Sequence, residues 1–152
     1  MKRQFLFILL SIVIGINGFY ASAYGGLFKE RYFFDRTWGD FGTIEGAFDH
    51  PNGVAISMLG NIYVSDTGNH RIQKFTKNGV FLMTWGSEGS GDGQFDNPAG
   101  LSVDLSGNVY VADQGSDRIH KFSANGAFIT SWGAYGTLAG QFQNPSVVMI
   151  FI

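Results

Sequence analysis

The strongest constraint on the fold of this chain is an internal repeat of 47 residues. The same spacing separates Trp38, Trp85 and Trp132, and the three prolines of the chain follow it as well. Overlaying Gly39–Trp85 on Gly86–Trp132 needs no gap and gives 21 identities in 47 positions. Periods of roughly 40–50 residues with strand-like content are typical of β-propeller blades. The sequence therefore predicts a fold made of repeated units.

Each unit contains four short runs rich in β-branched and aromatic residues, as strands are. In the first unit these predicted strands, named a, b, c and d in order, cover residues 53–57, 61–65, 71–75 and 80–85. Turn signals separate them, and Asn-Gly closes the c–d turn in both units, a strong hairpin signal. The 22 glycines, about twice the usual share, suit a chain with many tight turns. The prediction is an all-β fold of four-stranded antiparallel meanders.

Two partial units flank the complete ones. Residues 31–38 align with strand d, and residues 133–152 align with the next d–a connection and the entry to strand a. Many propellers begin with a lone d strand that completes the last blade. We therefore predict two complete blades, at about 39–85 and 86–132, with a closing d strand before them and a truncated blade after them.

Both units resemble the NHL repeat in the stretches "GNIYVSDTGNHRIQKF" and "GNVYVADQGSDRIHKF". On that resemblance residues 24–152 form an NHL-repeat propeller region. The family's usual six blades would need about 280 residues at this period. The apolar "VVMIFI" at 147–152 also departs from the "GLSVDL" expected there. Both points favour a fragment of a six-bladed propeller, and the alternative is self-assembly of several chains into one ring.

The first 23 residues have the order of a secretory signal peptide. Lys2 and Arg3 precede an apolar run at 5–16, and Ala-Ser-Ala at 21–23 provides a cleavage site. The run is short for a membrane span of about 20 residues. We expect a secreted or cell-envelope protein, the alternative being an uncleaved N-terminal membrane anchor. Without the two basic residues, eight basic and twelve acidic residues give the chain a charge of −4. A nucleic-acid partner is not expected, since no basic stripe is visible.

An acid and an arginine recur around the b–c turn of both units. Asp66 and Asp113 end strand b, and Arg71 and Arg118 begin strand c. A feature repeated in every blade stabilises the blade, whereas a catalytic centre needs different residues from different blades. We interpret these four residues, together with Trp38, Trp85 and Trp132, as structural.

No histidine recurs, so none is required by the blade. His50 and His70 are expected on one face, where a two-histidine metal site lacks an evident third ligand, and His120 is expected to be structural. One propeller enzyme, the peptide-amidating lyase, has metal-binding histidines directly after the strand-a prolines. Those positions are Asn52, Ala99 and Ser146 in this chain, which argues against that activity. We predict no catalytic residues and no cofactor.

The resemblance implies an interaction scaffold rather than an enzyme. In a meander, the d–a connections and the b–c turns lie at the same end of each blade, and we call the surface they form the loop face. It is polar and mildly acidic, which suits protein, peptide or carbohydrate better than nucleic acid, whose phosphates it would repel. The alternatives are a propeller-type hydrolase or lyase, metal-dependent in one version, and a non-functional truncated gene product. The candidate binding residues are His50, Asn52, Thr67, Asn69, His70, Asn97, Gln114, Ser116 and Asp117, with Asp49 and Asp96 beside them.

Overall fold

The computed structural model describes residues 9–15, 18–24 and 37–150. In the N-terminal unit, β1 (Leu9–Gly15) and β2 (Gly18–Tyr24) form an antiparallel pair. The predicted signal peptide lies partly outside the described residues, and its cleavage stays a prediction. Residues 31–36 of the predicted closing strand also lie outside them, and residues 37–38 belong to no strand. No helix in the described parts is long and apolar enough to cross a membrane.

The second unit, from Gly39 onward, contains two four-stranded antiparallel sheets. Their strands follow one another in sequence order, as in a meander. The prediction of two propeller blades is confirmed. The first blade consists of β3 (Pro51–Ile56), β4 (Ile62–Asp66), β5 (Arg71–Phe75) and β6 (Phe81–Trp85), with a 3-10 turn at Thr67–Asn69. The second consists of β7 (Pro98–Val103), β8 (Val109–Asp113), β9 (Arg118–Phe122) and β10 (Phe128–Trp132).

The two blades share one register. Pro51 lies opposite Asp66 as Pro98 lies opposite Asp113, and each aspartate pairs in turn with the arginine that begins strand c. Strand a begins at its proline in the structure, two residues earlier than predicted. Proline is tolerated at the first residue of a strand because no ladder hydrogen bond is needed from its nitrogen there. Strand b runs one residue further than predicted and includes the aspartate.

The core lies between the two blades. Tyr63 and Ile72 of the first blade cluster with Val109, Val111 and Phe122 of the second, all almost completely buried. Side chains of the first blade therefore form part of the core of the second. This agrees with strands that are apolar on both faces of the pleat.

A third d–a connection follows the second blade. The parallel bridge between Tyr135 and Phe142 repeats those at Phe41–Phe48 and Glu88–Phe95. Residues 146–150, aligned with strand a, form no strand, although Ser146 O accepts a 3.0 Å hydrogen bond from Gly100 N. Strand a of each complete blade pairs with strand b of the same blade, and the described chain includes no such partner for residues 146–150.

Candidate functional site

A buried carboxylate holds the loop face of the first blade together. Asp66 is fully buried at the end of β4. It accepts hydrogen bonds from Asp49 N at 2.7 Å, from Asn69 Nδ2 at 3.0 and 2.9 Å, and from Gln73 Nε2 at 2.9 Å. Arg71 Nε completes the set at 2.6 Å. Because these donors come from the d–a connection, the b–c turn and strand c, one carboxylate joins all three.

Arg71 also fixes the d–a connection directly. Its guanidinium donates to the backbone carbonyls of Thr43 at 2.8 Å, Ile44 at 2.9 Å and Ala47 at 3.0 Å. Both the aspartate and the arginine therefore have their bonding capacity used within the blade. The pair formed by Asp66 and Arg71 therefore positions the d–a connection.

The matching carboxylate of the second blade has fewer side-chain partners. Asp113 accepts from Asp96 N at 3.1 Å, from Asn97 N at 2.6 Å and from Ser116 Oγ at 2.6 Å. Arg118 donates instead to the carbonyl of Ser90 at 3.1 Å. The carboxylate of Asp113 is thus bonded mainly by the backbone of the d–a connection.

His120 occupies the strand-c position that Gln73 holds in the first blade. It is 1% exposed, and neither ring nitrogen has a hydrogen-bond partner among the described residues. Its Nε2 lies 3.8 Å from Asp113 Oδ2. Burial lowers the pKa of His120, an effect that the charge of Asp113 opposes. In the sequence, this site is marked by the only difference between the two c strands, "RIQKF" and "RIHKF".

His70 and Asp117 occupy the same position of the b–c turn, and the backbone there is left-handed, with φ angles of 52° and 54°. Histidine and aspartate are among the non-glycine residues most tolerant of that conformation. Both side chains reach the following d–a connection: His70 Nδ1 donates to Asp96 O at 2.7 Å, and Asp117 Oδ1 accepts from Asn144 N at 2.7 Å. Sequence reasoning missed this contact between consecutive units, because different side-chain chemistry makes it in each blade.

The predicted binding residues separate into two groups in the structure. Asn69 and Ser116 bond the buried carboxylates, and Thr67 Oγ1 donates to Pro98 O at 2.6 Å. These side chains, like those of His70 and Asp117, support the loops. The residues with exposed surfaces are His50, Asn52 and Asn97, with Gln114 half-buried against Asn97.

The two histidines proposed for a metal site are not brought together by any described contact. His50 Nδ1 donates to Asp49 Oδ1 at 2.5 Å, whereas His70 bonds a backbone carbonyl. Within the described ranges, no group of three or more histidine, aspartate or glutamate side chains is arranged to hold a metal ion.

Charge is unevenly distributed between the two ends of the blades. Among residues 37–150, seven of the ten acidic residues lie in the d–a connections and b–c turns that form the loop face. Two more, Asp66 and Asp113, are fully buried at the ends of β4 and β8 at the same end of the blades, next to Arg71 and Arg118. The tenth, Asp104, lies in an a–b turn, and the three lysines lie on strand c or in the c–d turn. The loop face is therefore the acidic end of the structure.

Comparison with known proteins identifies the repeat. Residues 48–75, from the first d–a connection to the end of β5, match the family model of the NHL repeat. This segment is an NHL repeat. The second blade repeats its pattern 47 residues later, with the same buried aspartate and the same register.

The relatives share only a short region with this chain. The B-box type zinc finger protein ncl-1 of Caenorhabditis elegans is 45% identical over 53 residues, which is 35% of this chain and 6% of the relative. Protein brain tumor of Drosophila melanogaster is 43% identical over 53 residues, 35% of this chain and 5% of its own. The chain thus spans a small part of these curated relatives.

Among solved structures, a gluconolactonase from Xanthomonas campestris aligns with a TM-score of 0.43 and 24% identity. The alignment covers 68% of this chain and 32% of that chain. The family-model match assigns an NHL repeat to residues 48–75. The activity and partners of the chain are left to be proposed.

Proposed function

We propose that this chain is an interaction module that binds a protein or peptide partner on the loop face of its NHL blades. The proposal rests on one observation: some polar residues of that face are bonded within the blades, and others are exposed. Buried carboxylates and their donors hold the loops in place. His50 and Asn97 remain exposed on these loops, and Asn52 is exposed at the start of β3 beside them. A surface whose loops are already ordered loses little conformational entropy when a partner binds.

The charge of the face favours one chemistry of partner. Seven acidic residues of its connections and turns make the face complementary to a segment rich in lysine and arginine. Asp66 and Asp113 add no free charge to it, because they are buried and bonded within the blades. The same charge would repel nucleic-acid phosphates. The secretory signal predicted at residues 1–23 supports a partner encountered outside the cytoplasm. A propeller-type hydrolase or lyase is less well supported, since the described residues provide no metal-ligating cluster.

The proposal is tested with immobilised full-length chain and peptide arrays that vary net charge at constant length. We expect basic peptides to bind and acidic ones to be excluded, with affinity that falls as salt rises. A triple variant, His50→Ala with Asn52→Ala and Asn97→Ala, should weaken binding about tenfold or more, an effect typical of the loss of several polar contacts.

A matched control changes the opposite end of the first blade. Met58→Ala with Leu59→Ala alters two exposed residues of the a–b turn. This double variant should bind like the unmodified chain. Equal loss in both variants, or equal binding of acidic and basic peptides, would contradict the assignment of the loop face.

A further inference from the structure

The second blade contains a buried, unpaired histidine where the first blade has a fully bonded glutamine. Gln73 Oε1 accepts from Gly46 N at 2.9 Å, and its Nε2 donates to Ala47 O at 2.7 Å and to Asp66 Oδ2 at 2.9 Å. Strand c of the first blade is thereby tied to the first d–a connection. His120, in the same position, forms none of these bonds with described residues.

Aromatic rings enclose His120. Its ring centroid lies 5.5 Å from that of Phe95, 6.2 Å from that of Phe122 and 6.1 Å from that of Phe128. Such surroundings favour the neutral imidazole, because a buried charge is costly without a partner. Asp113 Oδ2, which is 3.8 Å from Nε2 of His120, lies just beyond hydrogen-bonding distance.

Asp113 is also what holds the second d–a connection in place. It accepts from the backbone nitrogens of Asp96 and Asn97, next to Phe95 in the ring cluster. The same carboxylate oxygen, Oδ2, faces both His120 and the Asp96 amide. The Asp96 amide also lies 3.2 Å from Oδ1, and the Asn97 amide donates to Oδ1 at 2.6 Å. A charged imidazole therefore competes with the Asp96 amide and the Ser116 hydroxyl for Oδ2, and it affects the Asn97 bond by turning the carboxylate.

The other charges around His120 lie on two elements. Arg118 is on the same strand, and Asp92 and Asp96 are on the d–a connection; β10, packed on the other side through Phe128, has no charged residue. Burial lowers the pKa of His120; the carboxylates of Asp113 and Asp92 oppose this, and Arg118 adds to it. The folded connection thus binds the proton more weakly than an open one.

We propose that His120 and Asp113 form an acid-sensitive contact that releases residues 94–97 of the loop face when the imidazole is protonated. The proton adds to a ring nitrogen, and the imidazolium then draws Oδ2 of Asp113 toward it. The carboxylate turns, and its bonds to the Asp96 and Asn97 amides are lost. The closed arrangement is fully favoured above the ordinary pKa of histidine and loses population as the pH falls through it. The first blade, with Gln73, has no equivalent response.

The proposal adds to the proposed function but does not depend on it for its test. Residues 94–97 belong to the loop face, so acid would weaken partner binding on the second blade. Release of the connection itself is measured without any partner. If acid does not release the connection, the proposed function is unaffected. If no basic partner binds, the acid response of the connection is unaffected.

The test is amide hydrogen exchange on the full chain at pH 7.5 and 5.5, expressed as protection factors. The amides of Asp96 and Asn97 report the second blade, and the matching amide of Asp49, bonded to Asp66, is an internal control. We expect protection of Asp96 and Asn97 to fall relative to Asp49, by at most about tenfold, the limit for an open state with an ordinary histidine pKa and a closed state that takes up no proton. His120→Gln, which copies the first blade, should remove the difference.

Two results would overturn the proposal. One is a constant protection ratio between Asp96 and Asp49 over this pH range. The other is an equal fall in the His120→Gln variant. If that variant does not fold, NMR titration of the His120 ring in the unmodified chain decides. A midpoint that coincides with the loss of protection supports the proposal, and titration without that loss contradicts it.

Discussion

The two blades share sequence, register and topology, yet they hold their d–a connections differently. In the first blade, Asp66 receives side-chain donors from Arg71 and Gln73 on strand c. In the second, Asp113 receives backbone donors and Ser116, with His120 at 3.8 Å. The meander is thus set by the positions that repeat, whereas the tightness of each connection is set by positions that do not.

The tryptophans show a second difference of the same kind. Trp85 lies 6.2 Å from Tyr63, and Trp132 lies 6.1 Å from Tyr110, each pair at an interplanar angle of 73°. Only Trp85 has a following complete blade in the described chain, where it contacts Phe122 at 6.0 Å. The tryptophan and tyrosine pair is therefore present in both blades, but among the described residues only the pair of the first blade is covered by another complete blade.

The largest expected effect is the removal of the first carboxylate. Asp66→Ala leaves Arg71, Gln73 and Asn69 without their shared acceptor, and the free energy of unfolding should fall by about 3–5 kcal/mol, as when one partner of a buried ion pair is lost. Asp113→Ala leaves fewer buried donors without an acceptor, so the free energy of unfolding should fall by only about 1–3 kcal/mol. Urea unfolding of both variants measures the difference. Equal losses would show that the side-chain donors of strand c contribute little.

Truncation of the inter-blade tryptophan comes next. Trp85→Ala should lower the free energy of unfolding by about 2–3 kcal/mol, somewhat less than for a fully buried tryptophan. Trp132→Ala, 41% exposed on the outer surface of the second blade, should cost about 1 kcal/mol or less. Thermal unfolding of both variants compares the two surfaces. A larger loss at Trp132 would mean that the second surface is also covered in solution.

A smaller, pH-dependent difference should follow from His120→Gln. Since burial lowers the pKa of His120, the unmodified chain should lose stability as the pH falls through the ordinary histidine range. The advantage of the variant should therefore grow as the pH falls from 7.5 to 5.5, by at most about 1.4 kcal/mol, the limit reached when His120 stays neutral in the folded chain. Urea midpoints at both pH values provide the measurement. A constant advantage would show that the substitution acts through packing rather than through the proton.

The smallest effect concerns the lysines of strand c. Lys74 Nζ donates to the carbonyl of Ala124 in the second blade at 2.8 Å, and its pKa is lowered by burial. Lys74→Ala should cost about 0.5–1 kcal/mol, the net contribution of one hydrogen bond. Lys121→Ala is the matched control: Lys121 Nζ lies over the Tyr110 ring as Lys74 Nζ lies over the Tyr63 ring, so the control removes the same ring contact without a bond to Ala124 and should shift the unfolding midpoint less. If Lys121→Ala shifts the unfolding midpoint as much as Lys74→Ala does, the contact of Lys74 with Ala124 does not explain the loss of stability.

Much of the architecture was predictable because blades are built from local patterns. Period, strand number and turn chemistry are all short-range features, and they predicted two four-stranded meanders with the aspartate at the end of strand b. Bounds differed by one or two residues at Pro51 and Asp66. The candidate site was less predictable. Asn69 and Ser116 proved to be donors to carboxylates three residues before them. His70 and Asp117 contact residues 26 and 27 positions further along the chain, and such contacts depend on how consecutive units pack.

By itself, the sequence determined that residues 39–132 form two repeated four-stranded β units, since a 47-residue repetition of strands, turns and aromatic residues admits few other folds. Only the tertiary structure decided which polar residues are consumed by the scaffold and which remain exposed. It also decided that His120 is enclosed by aromatic rings beside Asp113. The physical reason is that hydrogen bonds and pKa values depend on distances of a few ångströms between separate units, and no local pattern encodes these.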